Sequence, residues 1–363
     1  MLTSFNEIDH PIYTFHDHIY HIFRNIFYYD LQFYDEQKLV HRDFRSCVNS
    51  SKKRLLNPLK EIVILYHQLP YLEKLKLQEA LVINNDISIF NDCTRDLISF
   101  KEIHPSISNK LKVFFESLWS DYPQNNEIED KFGTVKDHYD KLIHEDNFDF
   151  LICPFCGLNK FEPSEALYRE EYDHLLAKAS YPFVAVNFKL LFPCCKKCNQ
   201  QEKKKKDPLY EIIDPLYKEI KTRRLAHYPY DPSIKLDFLS IQIILKNQYN
   251  NENLKTLLKY VEWDIKILRN EVHDDRDEAW DEIYGIKRQF SEHLKSLQNY
   301  CFSELILEYK TNIKPFDDFS KDYITRLKTQ INYVPMGIVR YIYFTFIFSI
   351  PDIEEKLQQV IAT

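Results

Sequence analysis

The chain has 363 residues, 44% apolar and 28% charged, enough for two or three domains with a sizeable core, which excludes a disordered, fibrous or disulfide-miniprotein class. Its 26 Phe and 25 Tyr stand against only 4 Gly, so the tight turns of a β-sandwich or barrel are scarce and a mainly α fold is expected. A net charge of −7 excludes a wholly basic nucleic-acid coat.

In chain order, the N-terminus Met1-Leu2-Thr3-Ser4-Phe5-Asn6-Glu7 lacks the basic-then-apolar order of a secretory signal, so a cytoplasmic protein is expected. His16, His18 and His21 share no single helix face, which favours packing or exposure over a metal cluster. Phe23, Phe27, Tyr28 and Tyr29 read as helix core rather than a base-stacking platform. Apolar residues at three- and four-residue spacing from Pro58 to Ala80, broken at Pro70, predict two helices. A further helix is expected from about Asn109 to Trp119, with a loop over Pro123-Gln124-Asn125-Asn126. Residues 1–145 therefore read as an α-helical N-terminal domain.

After Pro232 the pattern is again helical. Helices are expected at Leu254 to Arg269, over a long charged run from Asp274 to about Tyr309, and in two segments beyond Pro315 and Pro335. Gly337 to Ser349 is very apolar, but it is too short for a bilayer and contains Arg340, which predicts a buried helix. Residues 211–363 read as an α-helical C-terminal domain, and no internal repeat is present.

Between them, residues 146–210 hold 10 basic and 9 acidic side chains and form the only net-positive part. Lys196, Lys197 and Lys203 to Lys206, opposed by Glu202 alone, make a patch able to neutralise phosphates. Five of the eight cysteines fall between Cys153 and Cys198. Cys153-Pro154-Phe155-Cys156-Gly157 has knuckle form: two thiolates grip one ion, and Gly157 allows the left-handed turn that follows. With Cys195 and Cys198 it predicts a closed four-thiolate site for structural Zn²⁺, Cys194 being the alternative to Cys195. Cys47, Cys93 and Cys301 read as ordinary buried cysteines. Between the pairs, Glu170-Glu171-Tyr172-Asp173-His174-Leu175-Leu176, then Asn187, then Leu190-Leu191-Phe192 give a coarse strand, loop, strand, helix order.

On Asp173-His174, Asn187 and Asn199, bracketed by the two cysteine pairs, residues 150–208 resemble the HNH endonuclease family and its ββα-metal module. Tyr181-Pro182, Val186-Asn187, Phe192-Pro193 and Cys198-Asn199 look like the HNH proteins of bacterial anti-phage systems such as Septu-type and retron-linked nucleases. The resemblance implies hydrolysis of phosphodiester bonds, DNA before RNA, with His174 as general base. It also implies Asp173 and Asn199 as ligands of one catalytic Mg²⁺ or Mn²⁺. Asn187 would tie the inter-strand loop together and orient the imidazole. Lys203, Lys204, Lys205 and Lys206 would hold the nucleic-acid backbone without reading sequence. Antiviral defence, a partner ATPase or other defence-system protein, and homo-oligomerisation are further implications, with no membrane contact. Two readings compete: a non-catalytic zinc module binding nucleic acid, and an HNH-derived interaction protein whose acidic helical flanks do the work.

Overall fold

A computed structural model describes residues 1–122, 125–144, 151–163, 165–213, 216, 221–246, 254, 258, 262–272 and 274–362. The N-terminal third is built from helices α1 (Ile12–Tyr29), α2 (Glu36–Leu39), α3 (Arg45–Ser50), α4 (Asn57–His67), α5 (Tyr71–Ile83), α6 (Pro105–Asp121), α7 (Asn126–Phe132) and α8 (Val135–Ile143). Pro70 separates α4 from α5, as expected: it lacks the N–H that would continue α4 and disfavours a helical residue before it, and with ψ at 150° it stands as the N-cap of α5. Of the expected loop, Pro123 and Gln124 lie outside the described residues. Asn125 instead caps α7, its side chain accepting from the Ile128 N–H. In α1, Phe15, Ile19, Phe23 and Ile26 follow the helical period and are buried, and Phe23 packs against Phe114 and Phe115 of α6. Tyr28 and Tyr29 depart from expectation, at 79% and 44% exposed, because the helix turns both away from that stripe.

Three antiparallel hairpins follow: β1 (Tyr172–His174) with β2 (Leu191–Pro193), β3 (Tyr210–Ile212) with β4 (Lys221–Arg223), and β5 (Leu239–Leu245) with β6 (Trp263–Arg269). The last corrects the end of the helix expected over Leu254 to Arg269: Leu254 and Leu258 are helical, 255–257 and 259–261 lie outside the described residues, and Trp263–Arg269 is a strand. From Trp263 on, burial alternates residue by residue, with Ile265 and Ile267 buried and Asp264 and Lys266 exposed, so the period is two rather than 3.6. Helices α9 (Asp275–Tyr284), α10 (Ile286–Thr311), α11 (Phe316–Gln330), α12 (Gly337–Phe348) and α13 (Ile353–Ala362) complete the chain. The expected run from Asp274 is thus two helices, broken where Gly285 takes a left-handed conformation at φ 63°. Helix α12 is the expected buried apolar helix, and no helix among the described residues is long and apolar enough to cross a membrane.

One apolar core runs from Met1 to Val360, across the expected boundaries near 145 and 210. It encloses several imidazoles. His138 of α8 is fully buried, with Nδ1 at 2.5 Å from the Tyr172 hydroxyl and Nε2 at 3.1 Å from the Tyr13 hydroxyl. Burial, helped by His10 and Arg169, pushes it down to about 3. Burial likewise pushes His16 and His227 down to about 4. Below about pH 6.5 the unfolded chain takes up protons that these folded imidazoles refuse, so stability is full above that pH and falls as the pH drops towards 4. Each group contributes a loss of about 1.4 kcal/mol per pH unit in that window. Urea midpoints measured at pH 7, 6, 5 and 4 should fall at every step; a flat profile contradicts the burial of these imidazoles.

Candidate functional site

The central segment is organised by its cysteines. The Gly157 N–H donates to the Cys153 carbonyl at 2.8 Å, closing the first knuckle. Gly157 sits at φ 68°, and a Cβ there would meet the Leu2 side chain at 2.4 Å, so the position needs glycine twice over. On the other side, Asn199 N–H donates to the Cys195 carbonyl, and Lys204 N–H reaches the Asn199 carbonyl five residues back, closing the wide helical turn Lys197–Lys203. Together they bring Cys153, Cys156, Cys195 and Cys198 into one buried cluster with all four sulfurs within 4.8 Å of one another. The Cys156 to Cys195 sulfur separation is 3.8 Å. A tetrahedral ion with Zn–S bonds of about 2.3 Å requires sulfur separations of about 3.8 Å. Leu158 N–H points at the Cys156 sulfur, and the Asn159 amide lies 3.4 Å from that of Cys195, donors that suit thiolates. These four side chains can hold a metal such as zinc. Cys194 is buried but lies outside the set, which decides between it and Cys195. Cys47 and Cys301 are buried as expected; Cys93 is exposed.

The hairpin β1/β2 carries Asp173 and His174. Neighbours in a strand project to opposite faces, and here their surroundings share little. His174 is half-buried against α6, where the Trp119 ring meets it edge-on at 4.8 Å. Its Nε2 lies 3.2 Å from the Ala185 carbonyl, which only accepts, so Nε2 carries the proton and Nδ1 keeps its lone pair. Nδ1 has no hydrogen-bond partner among the described residues. Burial, then Lys178, pushes this imidazole down to about 3, so it is neutral at pH 7.

Asp173 is closed off. It is 3% exposed, its Oδ1 accepts from Lys203 Nζ at 2.8 Å and its Oδ2 from the Tyr284 hydroxyl at 3.1 Å. Lys203 also donates to the His174 carbonyl at 2.7 Å. Two expectations are corrected here. Lys203, only 1% exposed, is a buried counter-ion rather than a phosphate contact. Asp173, whose two oxygens are already taken by that ammonium and by the Tyr284 hydroxyl, offers no free carboxylate to the expected Mg²⁺, so the residue does not fit the ion in this conformation. Asn199 is half-buried, and its side-chain amide makes no hydrogen bond among the described residues. Replacing Lys203 by Met should cost about 3–5 kcal/mol, because it strands a buried carboxylate. Lys204→Ala at an exposed position should stay within about 0.5 kcal/mol, and urea denaturation of the two variants checks the contrast.

The rest of the lysine run divides. Lys206 Nζ caps the end of α9, donating to the Glu282 carbonyl at 2.9 Å, while Lys204 and Lys205 are exposed. Asn187 accepts from the Lys189 N–H, starting the turn Phe188–Leu190, and donates to the Asn85 side chain at 3.0 Å. It therefore ties down the loop whose Ala185 carbonyl holds His174. The four cysteines are the only metal-type cluster among the described residues, and the N-terminal histidines are separate: His18 stacks on Phe44 and His21 bonds to Asn25. Trp119, Lys178, Ala185 and Tyr284 gave no signal in the sequence, since each reaches the hairpin through tertiary contact. Compared with known proteins, the chain matches no family model, no curated protein and no solved structure.

Proposed function

We propose that the protein is an HNH-type endonuclease that hydrolyses nucleic-acid phosphodiester bonds, DNA before RNA, on a module braced by structural Zn²⁺ at Cys153, Cys156, Cys195 and Cys198. The observation that carries the reading is His174: the Ala185 carbonyl holds its Nε2–H, and Nδ1 is left as a neutral acceptor on the ring that packs against Trp119. In this reading Nδ1 takes a proton from water as its oxygen bonds to phosphorus, and the bond to the leaving 3′-oxygen breaks in line. Asn187 is a positioning residue, holding the loop that supplies the carbonyl. Mg²⁺ or Mn²⁺ belongs to the resemblance, but no step is assigned to it because Lys203 occupies Asp173.

The same resemblance carries a role in anti-phage defence with a partner protein; loss of protection on deleting the gene from its native host supports that role, and unchanged phage sensitivity removes it. A second reading has its own observation. The closed Asp173–Lys203–Tyr284 set suits a zinc module that binds nucleic acid without cutting it. Incubating the zinc-loaded protein with supercoiled plasmid, in metal-free buffer and with added Mg²⁺ or Mn²⁺, separates them: nicked or linear product supports the nuclease, and retarded but uncut plasmid supports the binding module.

A further inference from the structure

We propose that the cleft between the start of α6 and the segment following the wide turn grips the sugar–phosphate backbone of a nucleic-acid strand and leads it to His174. The cleft encloses about 560 Å³, and three lysines converge on it from three separate stretches: Lys112 of α6, Lys205, and Lys221 of β4, with the already engaged Lys101 at its edge. Lys205 and Lys221 are exposed and Lys112 is half-buried. Lys221 lies over the Tyr210 ring at 5.3 Å. The one acid in the lining, Asp207, is engaged, accepting from the Tyr181 hydroxyl and from the Leu209 N–H. On a chain of net charge −7, three ammonium groups around one concavity concentrate positive potential that the average conceals.

The floor connects this cleft to the hairpin. Ala177 and Ser180 line it, and they follow directly from His174 at the end of β1. Lys112 and Trp119 stand seven residues apart on α6, a rise of about 10 Å. Trp119 then meets His174 edge-on, with Lys178 Nζ 5.5 Å from the same ring. A phosphate chain held by Lys112 therefore needs to extend only one or two nucleotides along α6 to reach the imidazole. Apart from Asn109, the other lining groups are aliphatic, aromatic or small hydroxyl side chains, and a single amide makes no array matched to successive base edges, so the grip is to backbone and independent of sequence. This rests on the nuclease reading for its direction, but its own readout is binding.

The test uses the full chain carrying His174→Ala, zinc-loaded and without Mg²⁺, so that no cleavage intervenes. Fluorescence anisotropy follows two labelled single-stranded DNA 30-mers of unrelated sequence between 50 and 200 mM salt. The expected result is similar Kd for both strands, and at least tenfold weaker binding after joint Lys112→Ala, Lys205→Ala and Lys221→Ala substitution. The log–log salt slope should fall by about 2, three contacts at about 0.7 each for a single strand. Lys310→Ala with Lys321→Ala, exposed on α10 and α11, should change neither quantity. Unchanged Kd and slope in the triple variant overturn the proposal, as does failure of the parent to bind either strand at 50 mM salt. If binding depends on the three lysines while the protein with intact His174 never cuts, the cleft stands and the nuclease reading falls. If that protein cuts and its triple variant cuts equally fast, the reverse holds.

Discussion

Replacing His174 by Ala should lower cleavage of supercoiled plasmid by about 10²–10⁴-fold, the range for loss of a positioned general base. Folding and bound zinc should be unchanged, because the imidazole is half-buried at the α6 interface and is not among the four clustered sulfurs. Two controls sharpen the result. His174→Gln preserves much of the volume beside Trp119 and should be as inactive, since an amide does not accept the proton. Asn187→Ala removes the side chain that caps the turn after Val186 and bonds to Asn85; it should reduce the rate less, because the Ala185 carbonyl itself remains. Initial rates, circular dichroism and zinc content measured on the same samples check all three. A His174→Ala protein that cuts at the parental rate removes His174 from the chemistry.

Loss of the metal centre should have the largest effect on stability. Cys198→Ser should abolish stoichiometric zinc and unfold the segment around both knuckles, since ligand binding and folding of such a site are one free energy, about 10–16 kcal/mol in isolated zinc-finger peptides. Even a third of that lowers Tm by roughly 5 °C in a chain of this size. Cys194→Ser changes a neighbouring residue of equal burial and should keep its zinc, because its sulfur stands outside the cluster. Zinc quantified by a chromophoric chelator alongside thermal melts distinguishes the two. Retention of zinc and Tm by Cys198→Ser contradicts the ligand set.

The effect should spread beyond the knuckles. Leu2 N–H bonds to the Pro154 carbonyl at 2.9 Å, and the Trp280 indole donates to the Phe155 carbonyl at 2.7 Å, so chain segments from both flanks rest on the first knuckle. Loss of a metal from the four-cysteine site should therefore loosen a junction rather than an appendage.

The sequence by itself determined the elements whose signals are local. Heptad-like spacing and Pro70 are enough for α4 and α5, the two Cys-x-x-Cys spacings for the metal-type cluster, and Gly157 for the turn that closes one of them. Each depends on residues a few positions apart, where backbone geometry alone decides what faces what. Residues Trp263 to Arg269 show the limit of that reading. Their two-residue alternation was present in the sequence but lay within a helix-rich stretch, and it became decisive only when β5 paired with it.

At the candidate site, tertiary structure decided most of what matters. Asp173 and His174 are adjacent in sequence, yet strand geometry parts them and Tyr284, 111 residues away, closes the carboxylate. The lysine run looked uniform, but the wide turn buries Lys203 and the end of α9 captures Lys206. Arg288 of α10 engages Glu202, and Glu292 comes to 3.9 Å from Lys197, so the C-terminal helices reset the charge of that surface. The lysines of the cleft come from separate stretches of the chain and form no run at all. Periodicity and spacing fix what a residue does to its chain neighbours; burial and charge pairing depend on which distant segment arrives against it, and that is settled only by packing.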